Sequence, residues 1–312
     1  MPEEQQMPNL SIDLSVQIAG LAFTNPVIAA SGTFGYGQEY AGLIDVSRLG
    51  GICTKGLTLH PREGNRGLRL HETASGLMNS IGLENPGIPA FIEKELPAMM
   101  KLGPRIIANL SGSTLEEYRE GARLLAATGI DMIELNISCP NVKAGGMAFG
   151  LCPADAAAVV QAVRRVCDKP LMVKLSPNAP DLVGVALACV NAGADALSLV
   201  NTFKALAFDI RRRTPIFDHV TAGLSGPAIK PLALRMVWDV CAAVKVPVVG
   251  MGGIASTEDA LEFFMAGATA IQVGTATFSR PSTMIEIIEG LQRYMVANGI
   301  RHLSELSLQE RE

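Results

Sequence analysis

Three stretches decide the architecture: Gly129-Ile-Asp-Met-Ile-Glu-Leu-Asn136, Gly193-Ala-Asp-Ala-Leu-Ser-Leu-Val-Asn201 and Gly267-Ala-Thr-Ala-Ile-Gln-Val-Gly274. Each runs from a helix-ending glycine through a short polar or small linker into an apolar strand, and closes on Asn or Gly. Glycine ends helices because it enters the left-handed region without a Cβ clash. Near-continuous apolar strands are expected where helices cover one face and a packed interior the other.

Working outward, the segments before these phrases read as helices. Ser113-Thr-Leu-Glu116 has the form of a capping box opening a helix with Leu115, Tyr118, Ala122 and Leu125 on one face. Ser256 with Asp259 opens a second, and Pro180-Asp181 a third. Residues 227–244 form a longer helical candidate whose Pro227 suits a first turn. Strand candidates fall at 27–31, 51–55, 105–111, 131–138, 171–176, 196–201, 246–250 and 270–274. Eight strands alternating with helices over about 250 residues predict a closed (β/α)8 TIM barrel of α/β class. A doubly wound open sheet would carry its glycine-rich phosphate loop after the first strand; here such loops come last. Residues 11–27, turning at Gly20, predict a β-hairpin before the barrel. With no linker or low-complexity stretch, 1–312 is expected to be one domain, with 1–10 flexible.

The chain carries 26 Lys and Arg against 30 Asp and Glu, a net charge of −4. That offers no basic footprint for nucleic acid or an anionic membrane. No apolar run approaches the roughly 20 residues of a membrane span, and the polar start lacks signal-peptide form. The six cysteines include no CxxC pair, so neither a disulfide framework nor a zinc site is expected. The reading is a soluble, cytoplasmic protein in a reducing compartment.

Two glycine turns, Val249-Gly-Met-Gly-Gly253 and Gly274-Thr275, follow the seventh and eighth strands. Barrels commonly bind phosphate there through exposed N–H groups. FMN, a sugar phosphate or PLP would each fit. Asn136-Ile-Ser-Cys-Pro-Asn141 puts an amide, a hydroxyl and a thiol beyond the fourth strand. A cysteine there can accept a proton when its environment assists, whereas Cys53, Cys167, Cys189 and Cys241 read as buried hydrophobes. Lys55, Asn109 and Lys174 are polar groups in or at the ends of strands. A lysine between apolar neighbours is expected to point inward to a ligand, because an unpaired buried ammonium is costly. By itself Asn79-Ser-Ile-Gly-Leu83 reads as an ordinary loop, and Arg211-Arg-Arg213 as solvated or interface surface.

Taken in order, Ala30-Ser-Gly-Thr-Phe-Gly35, Lys55-Gly-Leu-Thr58, Asn79-Ser-Ile-Gly-Leu83, Asn136-Ile-Ser-Cys-Pro-Asn141, Gly223-Leu-Ser-Gly-Pro-Ala-Ile-Lys-Pro231 and Gly250-Met-Gly-Gly253 resemble the catalytic subunits of NAD-linked, two-subunit (class 1B) dihydroorotate dehydrogenases. The resemblance implies FMN as cofactor, contacted by Ser31, Lys55, Gly56, Asn109, Asn136, Lys174, Val200, Gly226, Gly252, Gly253, Gly274 and Thr275. It implies dihydroorotate as substrate, contacted by Lys55, Asn79, Ser80, Ile81, Gly82, Leu83, Asn136, Asn201 and Thr202, with Cys139 as catalytic base. It further implies a homodimer at the core of a heterotetramer, whose second subunit carries FAD and a [2Fe–2S] cluster and reduces NAD+. The chain has neither a four-cysteine cluster pattern nor a dinucleotide fingerprint of its own. Asn65-Arg-Gly67 and Ala276-Thr-Phe278 depart from the family's usual residues and flank the expected ligands. A related flavin enzyme acting on uracil-type bases, a fumarate-linked dihydroorotate dehydrogenase, and a flavin-free phosphate-binding barrel are the alternatives.

Overall fold

The computed structural model describes residues 12–138 and 149–309. Eight parallel strands, β1 (Val27–Ala29), β2 (Gly51–Cys53), β3 (Arg105–Leu110), β4 (Met132–Asn136), β5 (Leu171–Lys174), β6 (Ala196–Leu199), β7 (Val248–Met251) and β8 (Ala270–Val273), close into a barrel in chain order. Closure is direct, with Val273 of β8 in register with Ala29 of β1. All eight strand candidates are present, each trimmed or shifted by a few residues at its ends, as expected where polar residues take over.

Alternation along each strand sorts the side chains. Ile133, Leu135, Leu197, Leu199, Ile271 and Val273 pack outward into the large cluster shared with the helices. Ile28, Cys53, Ile107, Met132, Met172, Ala196, Val249 and Ala270 point inward and form a separate small core. Ile18 and Phe23 complete that core from below. They belong to the hairpin Val16–Ile18 and Leu21–Phe23, whose turn residues Ala19 and Gly20 both have positive φ, at 51° and 80°. That is the tight turn whose twist suits a two-residue hairpin. Both side chains are fully buried, each worth roughly 1.5–3 kcal/mol of transfer free energy, and together they plug the barrel's N-terminal end.

The repeated aspartate also has a structural role. Asp131 accepts the Ile106 N–H at 2.8 Å and the Arg105 guanidinium at 2.7 Å. Asp195 accepts the Leu171 N–H at 2.8 Å and Arg164 at 2.5 Å. Each ties the start of its own strand to the start of the strand before it. The third phrase has Thr269 in that place and keeps only the main-chain bond that all three make, from its N–H to Val248 O.

The helices start close to their sequence signals. Ser256 caps Thr257–Met265 by accepting the Asp259 N–H, and Asp181 caps Leu182–Asn191 through the Gly184 N–H. The capping box at 113–116 lies one residue further on: Thr114 accepts from Glu117 N, and Glu117 Oε2 accepts from Ser113 N. The shift leaves Leu115 exposed and puts Gly121 among the buried residues of Leu115–Ala126. Residues 227–244 hold a 3-10 turn, Pro227–Ile229, running into the helix Lys230–Ala243.

One element has no counterpart in the sequence reading. Phe203–Leu206, Thr221–Ser225, Gly76–Asn79 and Leu70–Thr73 form a four-stranded antiparallel sheet, in that order. It is built from the insertions after β2 and β6. Its strands are short and half-exposed, without the apolar runs that betray barrel strands.

Candidate active site

The C-terminal ends of the strands and this extra sheet enclose a cavity of about 620 Å³. Ser31, Lys55, Gly56, Asn136, Lys174, Val200, Gly226, Gly252, Gly253, Gly274 and Thr275 line it, as do Asn79, Ile81, Gly82, Leu83, Asn201 and Thr202. Two further expected residues, Asn109 and Ser80, are not among those that line it. Asn109 is fully buried one layer below, reached through the Asn136 Nδ2 at 3.4 Å. Ser80 is buried and turned away from the cavity, accepting from Asn65 Nδ2 at 2.9 Å. Cys139, with the rest of residues 139–148, lies outside the described residues. Its neighbour Ser138 anchors the start of that segment: its hydroxyl donates to Asn136 Oδ1 at 2.7 Å and accepts from Asn201 Nδ2 at 2.5 Å.

The roof comes from the four-stranded sheet. Asn79 sits opposite Gly223 and donates to its carbonyl, and Ser225 accepts the Thr275 hydroxyl at 2.8 Å, joining roof to barrel. Gly226 enters the left-handed region at φ 91° against Gly76, a close approach that a side chain would block.

Two lysines give the cavity its positive charge. Lys55 is partly exposed and its Nζ stands 3.9 Å from Glu84, which Arg69 holds at 2.7 Å. Lys174 is buried in the floor, 3.7 Å from Glu134. The inward direction expected for Lys174 is met.

Sequence reasoning missed Glu134 and Gln272, and read Cys53 as a plain hydrophobe. Glu134 has no solvent exposure. It accepts hydrogen bonds from Asn109 Nδ2 (2.5 Å), Gln272 Nε2 (2.7 Å), Ser198 Oγ (2.8 Å) and Cys53 Sγ (3.1 Å). Burial drives its pKa up, but the Lys174 charge and the surrounding donors outweigh burial and hold it below the ordinary glutamate value. Burial first, then Glu134, pushes the Cys53 thiol well up, so it stays protonated and donates. The signal was available: a glutamate at an inward position, two residues before Asn136, requires a partner inside the barrel.

The wall fits a flavin mononucleotide on its own chemistry. Among the described residues, Lys174 Nζ has only the Glu134 carboxylate at 3.7 Å, longer than a hydrogen bond. Gln272 Oε1 is buried without a partner in a side chain that lines the cavity, and buried polar atoms are rarely left so. The main-chain N–H groups of Gly253 and Thr275 donate to no group among the described residues. A cation, an acceptor and free N–H groups are what a ring with N–H and C=O edges plus a phosphate requires.

Fold and site together define a (β/α)8-barrel protein whose ligand chamber lies at the C-terminal strand ends, where barrel enzymes carry their chemistry. The sequence profile described as "Dihydroorotate dehydrogenase" matches residues 13–295. The protein named "Dihydroorotate dehydrogenase B (NAD(+)), catalytic subunit" from Petrotoga mobilis is 59% identical over 295 residues, covering 95% of this chain and 98% of the relative. Proteins of the same name from Thermoanaerobacter pseudethanolicus and Geotalea daltonii are 52% and 54% identical; the alignments cover 95% and 94% of this chain, and 98% and 97% of those relatives. The chain belongs to the dihydroorotate dehydrogenase family. No helix among the described residues is long and apolar enough to cross a membrane.

Proposed function

We infer that this chain oxidises dihydroorotate to orotate in pyrimidine biosynthesis, as the catalytic subunit of an NAD+-linked enzyme. The observation that carries the reading is the convergence of Lys55, Asn79, Asn136, Asn201 and Lys174 on one cavity in a chain of this family. FMN, held by Ser31, Lys55, Gly56, Asn136, Lys174, Val200 and the turns at Gly226, Gly252–Gly253 and Gly274–Thr275, would supply a hydride acceptor at its N5.

The chain's own residues do the rest. Lys55 pairs with the substrate carboxylate, displacing its looser contact with Glu84. Asn79, Asn136 and Asn201 offer amides that match the C=O and N–H groups of a dihydropyrimidine ring as donor and acceptor together. Cys139 accepts the proton from C5 of dihydroorotate as the hydride leaves C6. Ser138, the residue before it in the sequence, is bonded to Asn136 and Asn201.

Residues 1–312 act as one domain. Two copies form the core of a heterotetramer, in the cytoplasm, with an electron-transfer subunit carrying FAD and a [2Fe–2S] cluster. That subunit reduces NAD+, for which this sequence has no dinucleotide fingerprint of its own.

The test is anaerobic. Purified chain releases FMN on denaturation, and its flavin bleaches on mixing with dihydroorotate; adding NAD+ reoxidises it only with the partner present. A colourless protein that takes up no FMN would sink the reading.

A further inference from the structure

The barrel floor holds a carboxylate for which the chemistry above has no use. Glu134 lies inside the barrel with donors from β2, β3, β6 and β8 converging on it and the Lys174 ammonium of β5 beside it. Such burial is costly unless every lone pair is used, and here four donors share its two oxygens.

We propose that Glu134 is a positioning residue: a permanent anion that fixes which way the side-chain amide of Gln272 faces the cavity and, through Asn109, that of Asn136. This role rests on the FMN reading of the site and on donor–acceptor logic. An ionised carboxylate can only accept, so any amide bonded to it must present its NH2. Asn109 gives its Nδ2 to Glu134, which turns its Oδ1 toward Gly56 in the cavity wall; a Cβ on Gly56 would stand 3.2 Å from that oxygen. Asn136 then donates to that same Oδ1 at 3.4 Å, and its own Oδ1 accepts from Ser138 and Asn201. The direction set at Glu134 therefore passes along the chain of amides to a substrate-facing residue.

Gln272 follows the same rule on the other side. Its Nε2 is committed to Glu134, so its Oε1 is left without a partner at the cavity. That oxygen is an acceptor offered to an N–H of the bound ring. Were Glu134 neutral, either amide could turn over and offer NH2 instead, and the pattern presented to a flavin would become degenerate. The same anion partly offsets the Lys174 charge, which moderates how strongly the site favours a negatively charged reduced ring.

The test uses Glu134→Gln in the full chain. It should weaken FMN binding by about tenfold or more, through at least one amide left mispaired. It should also shift the potential of the bound flavin to more positive values, because one negative charge is gone while Lys174 stays. Glu134→Asp, which keeps the charge, should restore the potential towards that of the unaltered protein. A residue that merely ties strands together would change thermal stability and leave the potential where it was. An unchanged or more negative potential in Glu134→Gln, or a Glu134→Asp protein indistinguishable from it, would overturn the proposal. If Glu134→Gln does not fold, neutron diffraction of the unaltered apoprotein decides: both Glu134 oxygens should be free of deuterium, with the ND2 groups of Asn109 and Gln272 directed at them. A deuterated Glu134 or a reversed amide would overturn it. Failure of the unaltered chain to take up FMN would sink the flavin reading, a result distinct from either.

Discussion

Lys174 Nζ stands 3.7 Å from Glu134 Oε2 in a floor that solvent scarcely reaches. At that separation the two charges attract without a direct hydrogen bond, leaving the ammonium's donors for a ligand above. Lys174→Met should therefore cost FMN affinity and also lower the flavin potential, since a positive charge is removed beside it. Equilibrium binding and a spectroelectrochemical titration would check both; an unchanged potential would place Lys174 away from the ring.

Lys55→Met tests the substrate assignment. Removing a charge-assisted partner of a carboxylate costs roughly 1.5–3 kcal/mol, so kcat/KM for dihydroorotate should fall by about 10- to 100-fold. Unimpaired turnover would point to a substrate lacking the carboxylate, a uracil-type base in the first place.

Cys139→Ala should keep FMN and lose most of the reductive half-reaction, by about 10²–10⁴-fold, the usual contribution of a general base. Stopped-flow bleaching of the flavin by dihydroorotate measures this. Bleaching at the unaltered rate would remove the thiol from the mechanism.

Gly253→Ala probes the phosphate turn. Gly253 has φ 76°, and an added Cβ would lie 2.8 Å from Lys230 N and 2.9 Å from Gly226 O. Backbone strain of this kind costs of order 1–3 kcal/mol. The clash moves two glycine turns of the cavity wall together, so the variant should show both a lower Tm and weaker FMN binding. Loss of stability with full FMN affinity would detach this turn from the cofactor.

Acid titration reports on Glu134. Its pKa is held below the ordinary value in the folded protein, so the stability it contributes is present above the unfolded value of about 4.3–4.5 and is lost as pH falls through the folded value. Calorimetry of the apoprotein between about pH 6 and pH 3 should give a steeper loss of Tm for the unaltered chain than for Glu134→Gln. Equal slopes would mean that folding leaves the Glu134 pKa unshifted, and a shallower loss in the unaltered chain would mean that the group is protonated when folded.

The barrel was legible because its strands are short apolar runs closed by Gly or Asn, a pattern set by burial on both faces. Ser256 and Asp181 were legible as caps because an N-cap side chain acts within its own turn. The roof sheet was not. Its strands pair across 70–79 and 203–225, their residues are half-exposed, and no local periodicity distinguishes them from loop. Asn109 illustrates the same limit within the site. A sequence can say that an asparagine lies in a strand, but whether it touches a ligand or a buried carboxylate depends on which layer of the barrel it reaches. Glu134 shows that an inward charged residue in an apolar strand warrants a search for its partners.

The hairpin that places Ile18 and Phe23 under the barrel gives the protein a closed base. Among the described residues the packed base offers no way into the chamber, which leaves the C-terminal strand ends as the approach. Dihydroorotate and orotate would share that one chamber, so orotate should behave as a competitor of dihydroorotate. Sharing one chamber makes departure of one the condition for binding of the next.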